Sequence, residues 1–241
     1  MFTKSILAAV TATLLATSAY AAPVFNRVAS FPVALNNAEA ETTSAEIITA
    51  SEDGMTLVYS DSPAGGIGFV DITDGHFSAG KVTVENIDTK KDGALKFTGK
   101  MEDVAREPDA VKWLDDNRLV VANEGDWKGG SRSITIFNKD GTIAYESGPK
   151  LELEAARMGH YPDSRNKKGV EPEGLETATI DGTNYFFVAE ERSSLIAVLK
   201  DNGEAAEPEY LQSLPSGISP EGLVAIPSRK LLATANELDL G

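Results

Sequence analysis

The 241-residue chain carries 37 acidic against 22 basic side chains, a formal charge of −15. That balance disfavours phosphate backbones and anionic membrane surfaces and argues against a nucleic-acid partner. It has no cysteine, which excludes disulfide scaffolding, thiolate zinc sites and lipid attachment through a cysteine, so core packing, helped at most by a hard cation, must hold the fold.

Residues 1–21 read as an export signal: Lys4 is a positive n-region, 6–15 an apolar stretch, and Ala19-Tyr20-Ala21 a small-x-small cleavage site. The apolar run is short for a membrane span and interrupted by threonines. Cleavage after Ala21 predicts a periplasmic or secreted protein, one domain over 22–241, with no membrane span after cleavage. Residues 22–43 are polar, with weak strand signal over 25–33. The first clear hairpin pairs 46–49 with 55–60 across Ser51-Glu52-Asp53-Gly54, and a strand over 67–73 follows Gly65-Gly66. A strand over 82–87 leads into a lysine- and aspartate-rich turn at 88–93. The hairpin pattern returns at 109–114 and 118–122, followed by strands over 133–138 and 142–147 around Lys139-Asp140-Gly141. Residues 151–159 are helix-compatible and lead into a polar loop through Lys168. A third hairpin (175–180 and 185–189, turn at Asp181-Gly182) precedes strands over 194–200 and 209–214, and a last hairpin spans 221–237.

The four hairpins, near 44–61, 107–124, 171–191 and 219–237, repeat their end chemistry. An acid precedes each first strand (Glu46, Asp109, Glu173, Glu221) and another follows each return strand (Asp61, Glu124, Glu191, Glu237). Glu107-Pro108, Glu171-Pro172 and Ser219-Pro220 introduce three copies, and Ser44-Ala45 the divergent one. Repeats of four short antiparallel strands predict an all-β fold, a β-propeller of four-stranded blades. It is expected to be incomplete, with about four blades and the last truncated to two strands. A sandwich has no reason to repeat acidic strand ends. In a propeller the first strand of each blade lines the channel, so the acids should gather at one mouth.

Two groups carry candidate chemistry. Asp109, Glu124, Glu173, Glu191, Glu221 and Glu237, with Glu171 and the amides of Asn123 and Asn236 nearby, are hard oxygen donors of the kind Ca²⁺ prefers. The same acids could instead accept loop hydrogen bonds and keep the mouth solvated. Arg157, His160, Arg165 and Lys168, with Arg192 after the neighbouring hairpin, suit a phosphate or carboxylate ligand, or a solvated loop balancing local acid. His76 lacks an evident partner, and two isolated histidines do not make a metal centre. Trp113 and Trp127 read as packing aromatics. No nucleophile elbow, P-loop or dinucleotide fingerprint is present.

At PEGLETATIDGTNYFFVAEER and SPEGLVAIPSRKLLATANELD the sequence resembles bacterial exported propellers of the choice-of-anchor I type. It also resembles the N-terminal propeller of proteobacterial "esterase-like activity of phytase" proteins, some called alkaline phosphatases. Such relatives are longer, with further blades and a C-terminal esterase domain, and the rapid change of character at 74–76 suggests missing blades. The resemblance implies an exported propeller tied to phosphoester hydrolysis, with a small phosphoester ligand. It brings no catalytic residue with it, because the calcium- and phosphate-binding signature of β-propeller phytases is not visible. The alternative is a non-catalytic propeller binding a ligand or protein at the cell envelope.

Overall fold

Alternating β-branched and aromatic residues between Gly/Asp/Asn turns fold into successive antiparallel meanders. The computed structural model describes residues 32–52, 56–71, 75–127, 129–163 and 167–238. The first blade runs β1 (Ile48–Ala50), β2 (Thr56–Asp61), β3 (Gly66–Asp71), β4 (Gly75–Ser78) in spatial order. A separate two-stranded sheet follows, β5 (Lys81–Ile87) with β6 (Gly99–Ala105). The second blade is β7 (Pro108–Trp113), β8 (Arg118–Asn123), β9 (Ser133–Asn138) and β10 (Ile143–Glu146). After helix α1 (Lys150–Met158) comes the third, β11 (Pro172–Ile180), β12 (Thr183–Glu190), β13 (Leu195–Lys200) and β14 (Glu209–Pro215). The hairpin β15 (Ile218–Ile226) and β16 (Leu231–Leu238) stands as a two-stranded sheet.

First strands neighbour one another in sequence order, β1 against β7, β7 against β11 and β11 against β15. The sheets pack face to face through three apolar layers. Val58, Ile67 and Phe69 of the first blade meet Val111, Leu119, Val121 and Phe137 of the second. Val120, Ala122, Ile134 and Ile136 meet Phe186, Val188, Leu195 and Ala197 of the third, with Leu151 and Ala155 of α1 sealing one end. Phe187, Ala189, Ile196 and Val198 meet Leu223 and Leu232 of the last hairpin. Four-stranded meanders stacked around adjacent inner strands are the blades of a β-propeller. The all-β propeller read from the repeat is the observed fold, with the last hairpin two-stranded.

One expectation needs correction. The strands on either side of this junction belong to one sheet: β4 pairs back on β3, Gly66 opposite Ser78. The interruption lies instead at β5–β6, whose second strand, GKMEDVA, is too charged for its alternation to show. The weak strand signal over 25–33 lies mostly outside the described residues, as does the export signal over 1–21, and Val33–Leu35 forms a 3-10 turn.

The prolines matter more than their composition suggests. Each inner hairpin with a proline at or near its start shifts register by one residue, between Pro108 and Val111, Pro172 and Leu175, and Pro220 and Leu223. Such a bulge leaves one residue unpaired and re-aims its side chain. In all three copies the following residue is an acid: Asp109, Glu173, Glu221. In the proline-free copy β1 pairs β2 in continuous register over Ile48–Ala50, and just before it Glu46 N–H and Ile47 O both bond Ser60.

Candidate functional site at the channel mouth

The bulges deliver Asp109, Glu173 and Glu221 to one cleft of about 340 Å³, lined also by Ile47, Gly174 and Gly222. Close approach of the inner strands depends on glycine. A Cβ at Gly174 would stand 1.8 Å from the Glu221 carbonyl oxygen, a position no side chain can share. Behind this row, backbone bonds fix a second set of acids: Glu124 N–H donates to Glu107 O at 2.8 Å and Glu191 N–H to Glu171 O at 2.9 Å.

Burial and mutual repulsion dominate the electrostatics. Asp109 is pushed up to about 8, first by burial and then by Glu124, Glu46, Glu221 and Glu171. Glu124 rises to about 7 through burial and then Glu171, Asp126, Glu107 and Glu46. Glu173 also reaches about 7, with burial and the charges of Asp109, Glu171 and Glu221 outweighing its hydrogen bond with Glu191. Glu191 rises to about 9 through burial and then its contacts with Glu171 and Glu173. Glu221 is raised, by burial first and then by Glu237. These mutual effects join acids of all four repeats, including Glu46, at one mouth, as the repeat predicted.

Two cations offset part of this field. Lys168 Nζ lies 2.7 Å from Asp126 and 2.8 Å from Glu171. Arg192 pairs with Glu171 and, at 3.0 Å, with Glu191. Glu124, Asp126 and Glu171 each bring an oxygen within 4.8 Å of the others. Glu173 Oε2 is buried with no hydrogen-bond partner.

Not every expected residue arrives. Asp61 is fully buried, accepting from Ser44 N–H at 3.0 Å and Ala64 N–H at 3.2 Å. The turn between the paired Ile48 and Tyr59 is one residue longer than that between Val111 and Val121, so Asp61 shares the face of Tyr59, whereas Val58 packs on the second blade. It therefore corresponds to Asn123 and Glu190, not to the rim acids Glu124 and Glu191. The five basic residues do not form one phosphate grip. Lys168 and Arg192 meet at Glu171. Arg157 sits exposed on α1, paired with Glu154 three residues earlier. His160 follows the left-handed helix end at Gly159 (φ 76°), and its ring Nδ1 meets the backbone of Ser193, next to Arg192, at 3.0 Å. Arg165 lies outside the described residues.

The sequence placed Glu190 among the acids at the open end of the third hairpin, and the structure turns it inward instead. It is completely buried on the Val188 face of β12, and neither oxygen has a hydrogen-bond partner. Burial, then Glu152 and Glu154, holds its carboxyl well above the usual range. The polar residues Asn123 and Asn236 at the same place in neighbouring repeats were the available signal.

Stacked four-stranded meanders around an acid-lined opening define the class: a β-propeller with an acidic channel mouth. Within it, residues 127–204 match the family model for the choice-of-anchor I domain, supporting over that stretch the resemblance seen in the sequence. No curated protein matches the chain. A functionally unknown protein from Desulfotomaculum acetoxidans is similar at 12% identity, with 80% of this chain covering 49% of that one and a TM-score of 0.49. Inactive virginiamycin B lyase from Staphylococcus aureus with quinupristin is similar at 14% identity, 83% and 51% coverage and TM-score 0.49. The periplasmic gluconolactonase of Pseudomonas aeruginosa shows 13% identity, 80% and 57% coverage and TM-score 0.36. The chain spans about half the length of these structures, and its assignment as a propeller rests on its own blades. No helix among the described residues is long and apolar enough to cross a membrane.

Proposed function

We propose that this chain is an exported propeller module of the cell envelope that holds Ca²⁺ at its channel mouth and, beside it, an anionic ester ligand, a phosphoester foremost. The observation that carries this reading is the bulge-driven convergence of Asp109, Glu173 and Glu221 on one cleft, with carboxyls raised by one another and incompletely offset by Lys168 and Arg192. Hard oxygen donors at a water-facing mouth suit Ca²⁺. Asp109, Glu173 and Glu221 would hold the ion, with Glu124, Glu191 and Glu237 behind them. Bound there, Ca²⁺ would supply charge stabilisation for an anionic ligand. Lys168 and Arg192 flank the site and could orient such a ligand. Carboxyls near neutrality, as at Glu124 and Glu173, can accept or return a proton at physiological pH. The choice-of-anchor I match over residues 127–204 and the signal-like residues 1–21 support an envelope location.

Calorimetric titration with CaCl₂ tests the binding. Binding by the mature chain that is lost in Asp109→Ala and Glu173→Ala is expected, and absence of binding by the parent ends the calcium reading. Phosphatase and esterase assays with and without Ca²⁺ test the chemistry. A second reading, a binding propeller without turnover, is favoured by the engagement of Arg157 with Glu154 and of the His160 ring with Ser193 O. No hydrolysis in either condition, with Ca²⁺ bound, would select it.

A further inference from the structure

At the far end of β8 from Glu124, roughly 17 Å along a six-residue strand, a cleft of about 700 Å³ opens between the second and third blades. Strand parity decides which side chains it receives. Arg118 and Asn138 are cross-strand partners on β8 and β9, and paired residues share a sheet face. Arg118 reaches the third blade at Asp201, so Asn138 lies on that face too, in line with Ile134 and Ile136 of the layer between these blades. Tyr145 of β10 packs on the same layer. Lys139 belongs to the opposite face, its ammonium 5.8 Å from the centre of the Trp113 ring in the layer shared with the first blade.

The loop after β13 is the facing wall. Asp201 accepts from Gly203 N–H at 3.1 Å, and Asn202 Nδ2 donates to Glu207 O at 2.9 Å. These bonds hold Ala205, Ala206, Glu207 and Pro208 along the cleft.

Charge on these two walls does not balance. The Arg118 guanidinium is taken up by two carboxylates, with Nη1 and Nη2 on the Asp201 oxygens at 3.0 and 2.7 Å and Nε on Asp115 at 2.8 Å. Among the described residues the Glu207 carboxylate has no hydrogen-bond or ion-pair partner, and the Tyr145 hydroxyl has none either. The two are close enough for the charge of one to act on the other: burial first, then Glu207 and Glu146, push the Tyr145 phenol up to about 12. It therefore stays protonated at neutral pH, with an oxygen lone pair and an aromatic face to offer. Asn138 donates through Nδ2 to Thr142 Oγ1 at 2.9 Å, which leaves its amide oxygen as a further acceptor.

A pre-formed cleft of several hundred Å³, apolar in part and with a few convergent polar groups, is the usual shape of a small-molecule site. The sign of the unpaired charge narrows the ligand. An anion is repelled by Glu207 and by a chain of net charge −15. A cation meets a carboxylate, two neutral oxygens and an aromatic ring. Ile136, Ala206 and Pro208 can cover only an apolar body.

We propose that this cleft binds an organic ammonium ion with a compact apolar body, its nitrogen toward Glu207 and Tyr145 and its body between Ile136 and the Ala205–Pro208 wall. The proposal is independent of calcium at the mouth.

The test is calorimetry and chemical-shift titration of the mature chain at about 0.15 M salt with four probes. Phenethylammonium has the charge and the body, phenethyl alcohol the body alone, hydrocinnamate the body with the opposite charge, and methylammonium the charge alone. Phenethylammonium is expected to bind, with shifts centred on Tyr145 and Ala206, and each other probe to bind at least about tenfold more weakly, the equivalent of about 1.4 kcal/mol. In Glu207→Gln, a change at an exposed position, phenethylammonium should fall to the level of the alcohol. The probe series needs no variant, so the outcome does not depend on how the variant folds. No binding of phenethylammonium at 10 mM (roughly the weak limit for a small ligand) overturns the proposal. So do equal binding of the alcohol, shifts centred on Asp109 and Glu173 instead, or undiminished affinity in Glu207→Gln.

Discussion

Replacing Asp109 by asparagine should stabilise the protein at alkaline pH, contrary to the usual effect of altering a half-buried polar residue. The carboxyl has an ordinary value of 3.8 and is held at about 8 in the fold, by burial first and by four neighbouring acids next. The folded state therefore binds this proton more tightly than the unfolded chain. Its contribution to stability is fully present below 3.8 and is lost as pH rises toward 8. Each unit of displacement corresponds to roughly 1.4 kcal/mol, so the whole displacement sets an upper bound of about 6 kcal/mol. Asp109 faces a cleft open to water, and solvent screening reduces the expected effect to about 2 kcal/mol. For a domain of this size that is a melting shift on the order of 4–8 °C. Thermal unfolding of the parent and the Asp109→Asn variant in EDTA, at steps from about pH 4.5 to 8.5, measures it. Their difference should be small at the acidic end and open steadily toward alkaline pH, with the variant the more stable. Calcium at alkaline pH should raise the melting temperature of the parent and leave that of the variant less affected. Parallel pH profiles, or a variant less stable than the parent at alkaline pH, would refute the electrostatic account of the mouth.

Three other outcomes follow from local geometry. Gly174→Ala places a methyl against the Glu221 carbonyl and should cost about 1–3 kcal/mol in urea unfolding as β11 and β15 separate. Asp201→Asn removes one partner of the buried Arg118 pair and should destabilise by about 3 kcal/mol, with Asp115 retaining part of the contact. Glu190→Met replaces a buried carboxyl without hydrogen-bond partners, so it should raise the urea midpoint at alkaline pH by the equivalent of about 1–2 kcal/mol. A loss of stability there would mean that the carboxyl has a partner the present geometry lacks.

The fold was largely legible because its information is periodic. Strand alternation, turn residues and the recurring acids at Asp109, Glu173 and Glu221 all point to one blade, and each such hairpin formed where expected. What was hidden is register. A bulge at Pro108, Pro172 or Pro220 leaves composition untouched while changing which side chains reach the channel, and a turn one residue longer between Ile48 and Tyr59 than between Val111 and Val121 sets Asp61, which looked equivalent to Glu124, into the sheet. The strand Gly99–Ala105 was hidden for another reason: charged, half-exposed residues carry little pattern. The basic residues misled because proximity in sequence is not proximity in space. Arg157 pairs with Glu154 on α1, His160 past the helix end at Gly159 meets Ser193 O, and Lys168 goes to Asp126 and Glu171.

The three apolar layers also bear on how the molecule comes apart. Each joins one sheet only to its neighbours, so cooperativity passes along the blades as between adjacent units of a one-dimensional array. The second and third blades, with a layer on each face, should exchange their amide hydrogens last. The β15–β16 hairpin, secured by a single layer and carrying Val224 and Leu231 exposed to solvent, should open first. Because Glu221 rides on that hairpin, its opening would remove one wall of the acidic mouth while the two central blades stayed closed.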